Sequence, residues 1–267
     1  MNGFLSLPTY HIHRAQLFQQ RSLERISSGK RVVRAADDPA GFAVAENLAT
    51  RARSARIAQR NVSDGIALMQ TIDGAAAEVG ELLKRLRELA TQGASETLAD
   101  TERAYLDSER RQLTEEVDRI ANTTDLFGRT WTDGTVASVS VQAGPDAGDT
   151  IPLTPGDLRA GTLGIDTLDF STSAGAGAAL PDLDAALDAI HSQRSQLGAS
   201  MNRLASAERL AQTSEFTHTE AASRIVDVDI ALEVAEMVKA QVRMQTSIAA
   251  FMKINEANRT MMAALLG

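Results

Sequence analysis

The sequence predicts a mainly α-helical protein. Its N- and C-terminal halves are expected to form a long antiparallel helical bundle or coiled coil, with a small β-hairpin element in the middle. Apolar residues recur at steps of four and three in both halves, which is the period of one helix face. Aromatic residues make up only 4% of the 267 residues, as suits long helices packed through Ala, Leu, Ile and Met. Residues 128–180 differ, because their valines stand among Gly, Thr, Ser and Asp.

The first part of the chain predicts a helix followed by a break. Residues 9–34 predict a helix that opens after Pro8, because proline suits the first turn. Residues 35–41 interrupt the apolar pattern. Within this break Asp38 can cap a new helix that has Pro39 at its first position.

Two further helices and a hairpin are predicted in the middle of the chain. The stretch 39–92 predicts one long helix, although its internal glycines lower the helix propensity. Residues 99–122 predict the next helix. A Gly-Pro-Asp turn at residues 144–149, between two short β runs, predicts the hairpin. The Gly-, Ala- and Ser-rich residues 171–179 predict a mobile connection.

The C-terminal part predicts a helix from Asp182 to about residue 222 and then a heptad seam. Such a seam on a soluble protein needs a partner, either the other end of the same chain or other copies of it. The polar members of the seam are expected to set its register at some cost in stability. The predicted assembly seam consists of Ile230, Val234, Met237, Gln241, Met244, Ile248, Phe251, Asn255, Asn258, Met262 and Leu265.

Charge is distributed unevenly along the chain. The net charge is −8, but residues 1–60 hold ten Arg or Lys against four Asp or Glu, so this part is +6 and the remainder −14. A basic arm on an acidic body can bind nucleic acid, or it can lie against acidic segments of its own or neighbouring subunits. The bases are widely spaced with few aromatic residues between them, so no nucleic-acid partner is predicted.

Motifs for catalysis, metal binding or cofactor binding are not found in the sequence. A Gly-rich phosphate loop, a His-Glu-x-x-His motif and a Gly-x-Ser-x-Gly motif are all missing. His11 and His13 would lie on different faces of a helix, which disfavours a shared metal. Asp37 and Asp38 are better explained by helix capping than by acid–base chemistry. With no cysteine, disulfides and thiolate chemistry are excluded. The sequence therefore predicts neither an enzyme nor a cofactor.

Location is also constrained by hydropathy. No run of about 18 apolar residues occurs, so no transmembrane helix and no membrane partner are predicted. The N-terminus has no basic region before an apolar region, so a cleaved secretory signal peptide is not expected. Taken alone, these two observations indicate a cytoplasmic protein.

Several motifs, in order along nearly the whole chain, are similar to those of one family. They are SSGKRV at residues 27–32, DDPAG at 37–41, NVSDGI at 61–66, LRELATQ at 86–92, LTEEVDRI at 113–120, LGASMNRL at 197–204 and SRIVDVD at 223–229. By these motifs the chain resembles bacterial flagellin, the subunit of the flagellar filament. One departure lies before the hairpin, where the family's common Phe-Asn-Gly is replaced by Leu126-Phe127-Gly128.

The resemblance implies a structural subunit that self-assembles into the helical flagellar filament for motility. It implies a terminal coiled-coil core domain of residues 1–40 plus 226–267. An outer helical domain would comprise residues 41–225, including the β-hairpin region 128–180. Since little else separates the two halves, the chain is expected to be a minimal flagellin without large outer domains.

The resemblance also implies a set of partners and a location. The partners would be other copies of the chain, hook-junction and cap proteins, an export chaperone at the C-terminal segment and the flagellar type III export apparatus. Export through that apparatus would place the protein in the extracellular filament without a cleaved signal peptide. In some flagellins a Toll-like receptor reads an Arg, a Leu and a Glu on the outer helical domain. The matching positions of this innate-receptor patch are Arg85, Leu89 and Glu109.

One alternative is a hook–filament junction protein, from a related family that shares the Ser-Ser-Gly-Lys-Arg and Asp-Asp-Pro elements. Ala40 and Gly41 after Pro39, together with the segment 61–65, favour flagellin. Self-polymerisation would separate the two, because a junction protein should not grow long homopolymers.

Overall fold

The computed structural model describes residues 3–266, and the side chains in that range other than those of residues 3–9, 11, 258 and 262–266. The described part is mainly helical, as predicted, with two small antiparallel sheets. The helices are α1 (Gly3–Ser28), α2 (Pro39–Gly93), α3 (Asp100–Thr123), α4 (Ala160–Leu163), α5 (Ser173–Val226) and α6 (Ile230–Leu266). The strands are β1 (Asp125–Leu126), β2 (Arg129–Thr130), β3 (Val139–Gln142) and β4 (Thr150–Leu153).

The chain divides into two compact units. A terminal unit combines Met1–Ala52 with Phe216–Gly267, and an outer unit spans Arg53–Glu215. The domain boundaries expected from the resemblance, 1–40 plus 226–267 against 41–225, stay a prediction.

The outer unit is built on antiparallel helices. Three ion pairs between α2 and α5 define this direction, because their residue numbers rise along α2 and fall along α5. Such exposed pairs contribute little stability by themselves, but they report the register of the two helices. The pairs are Arg56 with Glu215 at 2.6 Å, Asp73 with Arg194 at 2.9 Å, and Arg87 with Asp184 at 2.6 Å.

The stability of the outer unit comes mainly from two apolar clusters. The first joins α2, α3 and α5 through fully buried side chains, including Leu83, Val117 and Ile190. The second joins α2 and α5 to the β elements through Met69, Leu204 and others. Fully burying one such side chain contributes about 1.5–3 kcal/mol, so each cluster outweighs the surface ion pairs.

The predicted hairpin is present as β3 and β4, which pair in antiparallel register from Val139 opposite Leu153 to Gln142 opposite Thr150. Leu153 is fully buried, and the hairpin lies close to α2 at Gly65. A Cβ atom at Gly65 would lie 3.2 Å from the Val141 side chain, so glycine permits this approach. The internal glycine therefore serves packing and does not interrupt α2.

Two sequence expectations are wrong. Residues 171–179 do not form a mobile connection, because α5 already begins at Ser173 and buries Ala176 and Ala179 in the first cluster. In addition, the bounds of the first helix are wrong: it begins at Gly3, with Pro8 inside it, and ends at Ser28 and not near residue 34. Gly29, at φ 69°, follows it directly, which is the left-handed conformation that terminates helices.

The segment 29–38 joins α1 to α2 and pairs with the junction between α5 and α6. Lys30 and Asp227 form an antiparallel bridge, and Arg31 N–H donates to the Val226 carbonyl at 2.6 Å. Val32 is buried beneath this pairing. As predicted, Asp38 caps α2, since its Oδ1 accepts the Gly41 N–H at 2.9 Å.

Candidate assembly interface

In the terminal unit, α1 packs along α6 in the antiparallel direction. Arg25 near the end of α1 reaches Glu233 near the start of α6, at 3.7 Å. Further back along α1, Arg14 and Phe18 line a groove with Arg243 and other residues later in α6. The two ends of the sequence are therefore partners of each other, one of the two possibilities that the heptad seam left open.

The face of α6 that packs against α1 is less exposed to solvent than the rest of the helix. Ala240 is buried, and its neighbours at steps of three and four are half-buried. The spacing is that of a two-helix seam. These inward residues are Met237, Ala240, Met244, Ser247, Phe251 and Asn255.

Large apolar side chains are also exposed on α6, among charged residues such as Lys239 and Lys253. Leu232 and Met252 are about two-thirds exposed, at 64% and 66%. The solvent-facing surface of a helix is usually polar, so the apolar side chains that α1 leaves uncovered are expected to have a further partner. We call the surface that they form the α6 outer surface; its exposed members are Ile230, Leu232, Val234, Val238, Val242, Ile248, Met252, Ile254 and Met261.

Helix α1 carries exposed apolar side chains as well. Leu17, Phe18 and Leu23 each expose two-fifths to one-half of their surface. Together with the α6 outer surface they make an apolar area that is unusual for a monomeric soluble protein.

Polar groups are also buried on α1 and α6. The Ser22 hydroxyl and Glu233 Oε1 are buried, and the described residues provide neither with a hydrogen-bond partner. Only Glu233 Oε2 faces a cation, the Arg25 guanidinium. Buried polar groups of this kind disfavour sliding of one helix along the other, because a shift would separate the ion pair.

The predicted assembly seam is divided between these two sides of α6. Met237, Met244, Phe251 and Asn255 face α1, where they are half-buried. The described members on the other side are exposed, namely Ile230, Val234, Gln241 and Ile248. Asn258, Met262 and Leu265 lie outside the described side chains. Ala240 and Ser247 were missed because their small side chains carry no heptad signal beside Met and Ile.

The residues of the innate-receptor patch lie together, but not all on the surface. Arg85 Nη2 lies 2.7 Å from Glu109 Oε1, and both side chains are exposed. The hydrogen bond from Arg85 to Glu109 is the main reason that the pKa of Arg85 is raised. Leu89 is only 1% exposed and belongs to the first apolar cluster.

Metal sites and membrane spans are both missing from the described residues. No group of three or more His, Asp or Glu side chains is placed to hold a metal ion in the part of the chain that the structure describes. Among residues 3–266, none of the helices has the length and apolar character needed to cross a bilayer. His13 is exposed, and the side chain of His11 lies outside the described set.

Comparison with known proteins gives a consistent answer along the chain. Residues 9–137 match the family model of the bacterial flagellin N-terminal helical region, and residues 180–265 match that of the C-terminal helical region. Between these matched regions lie only residues 138–179, which hold the β3–β4 hairpin and α4. The chain therefore has no large domain inserted between the two halves.

Individual relatives support the same assignment. A flagellin of Halalkalibacterium halodurans is 36% identical, with 97% of this chain and 98% of that protein covered. A flagellin of Bacillus subtilis is 32% identical, with 92% of each covered. The crystal structure of Bacillus cereus flagellin superposes with a TM-score of 0.52 at 33% identity, over 57% of this chain and 88% of that one.

These matches cover both helical halves, and the hook–filament junction alternative is not better supported. The family is one of structural proteins, located in the extracellular flagellar filament. The chain belongs to the bacterial flagellin family, as a structural subunit of minimal size that self-assembles into the flagellar filament.

Proposed function

We propose that the α6 outer surface and the exposed apolar residues of α1 are the contact by which one copy of the chain binds the next in the filament. The observation that carries this proposal is that nine large apolar side chains of α6 remain exposed although α1 covers one face of the helix. The predicted seam residues on the uncovered side, Ile230, Val234 and Ile248, belong to this contact. Met237, Met244 and Phe251 would act indirectly, by holding α6 against α1.

Burial of the α6 outer surface stabilises assembly. Completing the burial of one partly exposed Val, Ile, Leu or Met side chain contributes on the order of 1 kcal/mol. Nine such side chains on α6 thus supply a driving force of several kcal/mol, before the ordering cost is subtracted. A contact between different surfaces of two copies propagates as a helical filament when its rotation does not close into a ring.

Polar members of the seam set the register of the contact. Gln241 is exposed beside the apolar residues, and Asn255 is half-buried toward α1. A polar side chain in an apolar seam favours the one alignment that satisfies its hydrogen bonds. Gln241 would therefore specify how copies align, whereas Asn255 would specify how α6 aligns with α1.

The same exposed surface accounts for the remaining partners that we propose. Before assembly, the apolar α6 would aggregate unless an export chaperone covered the C-terminal segment. At the filament ends, hook-junction and cap proteins would cover the terminal surfaces that lack a neighbouring copy. The terminal unit holds few fully buried side chains, so it costs little to unfold for passage through the type III export apparatus.

The test is seeded polymerisation of the purified monomer, followed by electron microscopy, with the variant Val238→Asp. Val238 lies in the middle of the α6 outer surface, so a carboxylate there should abolish growth while helix content in the monomer stays unchanged. Ser195→Asp provides the matched control, because it adds the same charge at an exposed position on α5 of the outer unit. Normal growth of Val238→Asp filaments would reject the proposed contact.

Limited trypsin digestion of the same samples measures how far the terminal helices are protected from cleavage. Arg14, Lys239, Arg243 and Lys253 are cleavage sites on α1 and α6. They should be cut in the monomer and protected in the polymer, because the contact buries both helices. If wild-type chain failed to grow alone and became protected only on added hook or filament ends, its function would be that of a junction protein.

A further inference from the structure

The turn between β1 and β2 carries an unusual residue. The two strands pair with Leu126 opposite Arg129, so only Phe127 and Gly128 form the connection. Both have positive φ, 58° and 74°, the pattern of a type I′ hairpin turn. That turn favours Asn-Gly or Asp-Gly, because bulky side chains collide with the backbone in the left-handed conformation. Among the described residues, Phe127 is the one non-glycine with positive φ.

Little packing within its own chain offsets the strain at Phe127. Its side chain is 69% exposed, so it buries little apolar surface. Two unfavourable choices therefore meet at one position, an aromatic ring in water and a bulky residue in a left-handed turn. A strained backbone conformation that no contact in the monomer offsets indicates a functional contact with another molecule.

The turn is held rigidly from behind by Trp131. The Trp131 indole Nε1 donates to the Leu126 carbonyl at 2.9 Å, and its ring is buried in the second apolar cluster. The Arg129 guanidinium stacks over the same ring at 5.1 Å from the centroid. Phe127 is thus presented on a fixed support, and a preorganised aromatic side chain loses little entropy when it binds.

We propose that Phe127 is an intermolecular contact residue that inserts into a second copy of this chain within the filament. The proposal rests on the filament function, which surrounds every copy with other copies. Charge supports the same occupant: residues 53–215 hold fifteen Arg or Lys against twenty-five Asp or Glu, a net of −10. The exposed Arg129 beside Phe127 would therefore face an acidic neighbour when the neighbour is another outer unit.

The first test compares three substitutions of Phe127 in the full chain. Phe127→Asn and Phe127→Gly remove the ring and suit the turn, so the melting temperature of the monomer should rise by about 2–4 °C. The same variants should raise the critical concentration for seeded growth about tenfold, as expected when an aromatic contact residue is lost. Phe127→Tyr keeps the ring and the strain, and should resemble the wild type in both measurements.

Opposite effects on monomer stability and on growth distinguish this role from a structural one. If Phe127 served the fold, the Asn and Gly variants would melt at lower temperature; that result, or an unchanged critical concentration, would overturn the proposal. Growth of the wild-type chain in the same assay reports on the filament function itself. A photo-reactive benzophenone side chain at position 127 provides an independent reading. It should give crosslinked dimers of the chain in filaments but not in monomer, and the absence of dimers in filaments would also overturn the proposal.

Discussion

Asp107 and Arg110 form a buried ion pair one turn apart on α3, with Arg110 Nε donating to Asp107 Oδ1 at 2.8 Å. The side chains are 6% and 9% exposed. The same carboxylate oxygen accepts the Phe170 N–H at 3.3 Å, and the Arg110 guanidinium lies 5.9 Å from the Phe170 ring centroid. This pair therefore fixes the segment that leads into α5 against α3.

The first prediction is that Asp107→Ala strongly destabilises the outer unit. The variant leaves the Arg110 charge buried without its partner and frees the Phe170 N–H, a loss of about 3–5 kcal/mol. Urea unfolding at pH 7 followed by circular dichroism measures it. Glu116→Ala is the matched control, because it breaks an exposed pair with Arg119 on the same helix and should change little. Equal losses in both variants would show that the buried pair has no special role.

The second prediction concerns acid stability and Asp157. Hydrogen bonds from the Arg159 guanidinium, with a further one from the Thr162 hydroxyl, outweigh burial and lower the pKa of Asp157 from 3.8 to about 2. Because this pKa is lower in the folded than in the unfolded state, the carboxylate stabilises the fold above about pH 4. The contribution, at most about 2 kcal/mol, is lost as the pH falls toward 2.

Urea titrations of the wild type and of Asp157→Asn between pH 6 and pH 2 test this dependence. The variant should be less stable at pH 6, and the difference should shrink steadily as the pH approaches 2. Asp118 and Asp133 also help to raise the pKa of Arg159, and both are present in both proteins. A difference that stayed constant with pH would contradict the prediction.

The third prediction concerns host receptors. We propose that the exposed pair of Arg85 and Glu109 is the part of the innate-receptor patch that a receptor can touch directly. Arg85→Ala should then lower Toll-like receptor signalling, measured as a dose response in reporter cells. Lys84→Ala is the control, because it removes a neighbouring exposed charge on the same helix. An unchanged dose response for Arg85→Ala would remove the patch from consideration.

Leu89 differs from Arg85 and Glu109 in that its side chain is buried in the first apolar cluster. Leu89→Ala would open a cavity and destabilise the outer unit by about 2–5 kcal/mol. Loss of signalling in that variant would therefore report on folding and not on contact with a receptor.

The sequence predicts the helices better than it predicts their boundaries. Apolar periodicity in α2, α3 and α6 depends on the chain itself, so it can be found without the structure. The start of α5 cannot, because Gly175 and Gly177 lower helix propensity and only the packing of Ala176 and Ala179 in the first cluster compensates. Tertiary burial therefore determines where α5 begins.

The candidate interface shows a similar limit. Heptad spacing identified Met237, Met244 and Phe251, which do pack toward α1. It could not show that Val238 and Val242 are exposed on another side, since on a helix with apolar residues on several sides more than one seam satisfies the same pattern. The strained turn at Phe127 was likewise hidden, because its signal is a backbone dihedral angle.

The pairing of Lys30 with Asp227 joins residues that are far apart in sequence, whereas the outer unit is one contiguous stretch. Closing so long a loop from an unfolded chain is slow and entropically costly. Once the outer unit has folded, Arg56 and Glu215 are already 2.6 Å apart, and the remaining closure is short. We therefore expect an order of events: the outer unit folds first, and the two ends then meet as near neighbours. Until the C-terminal half of the chain is present, α1 has no α6 to pack against, so the terminal helices form last.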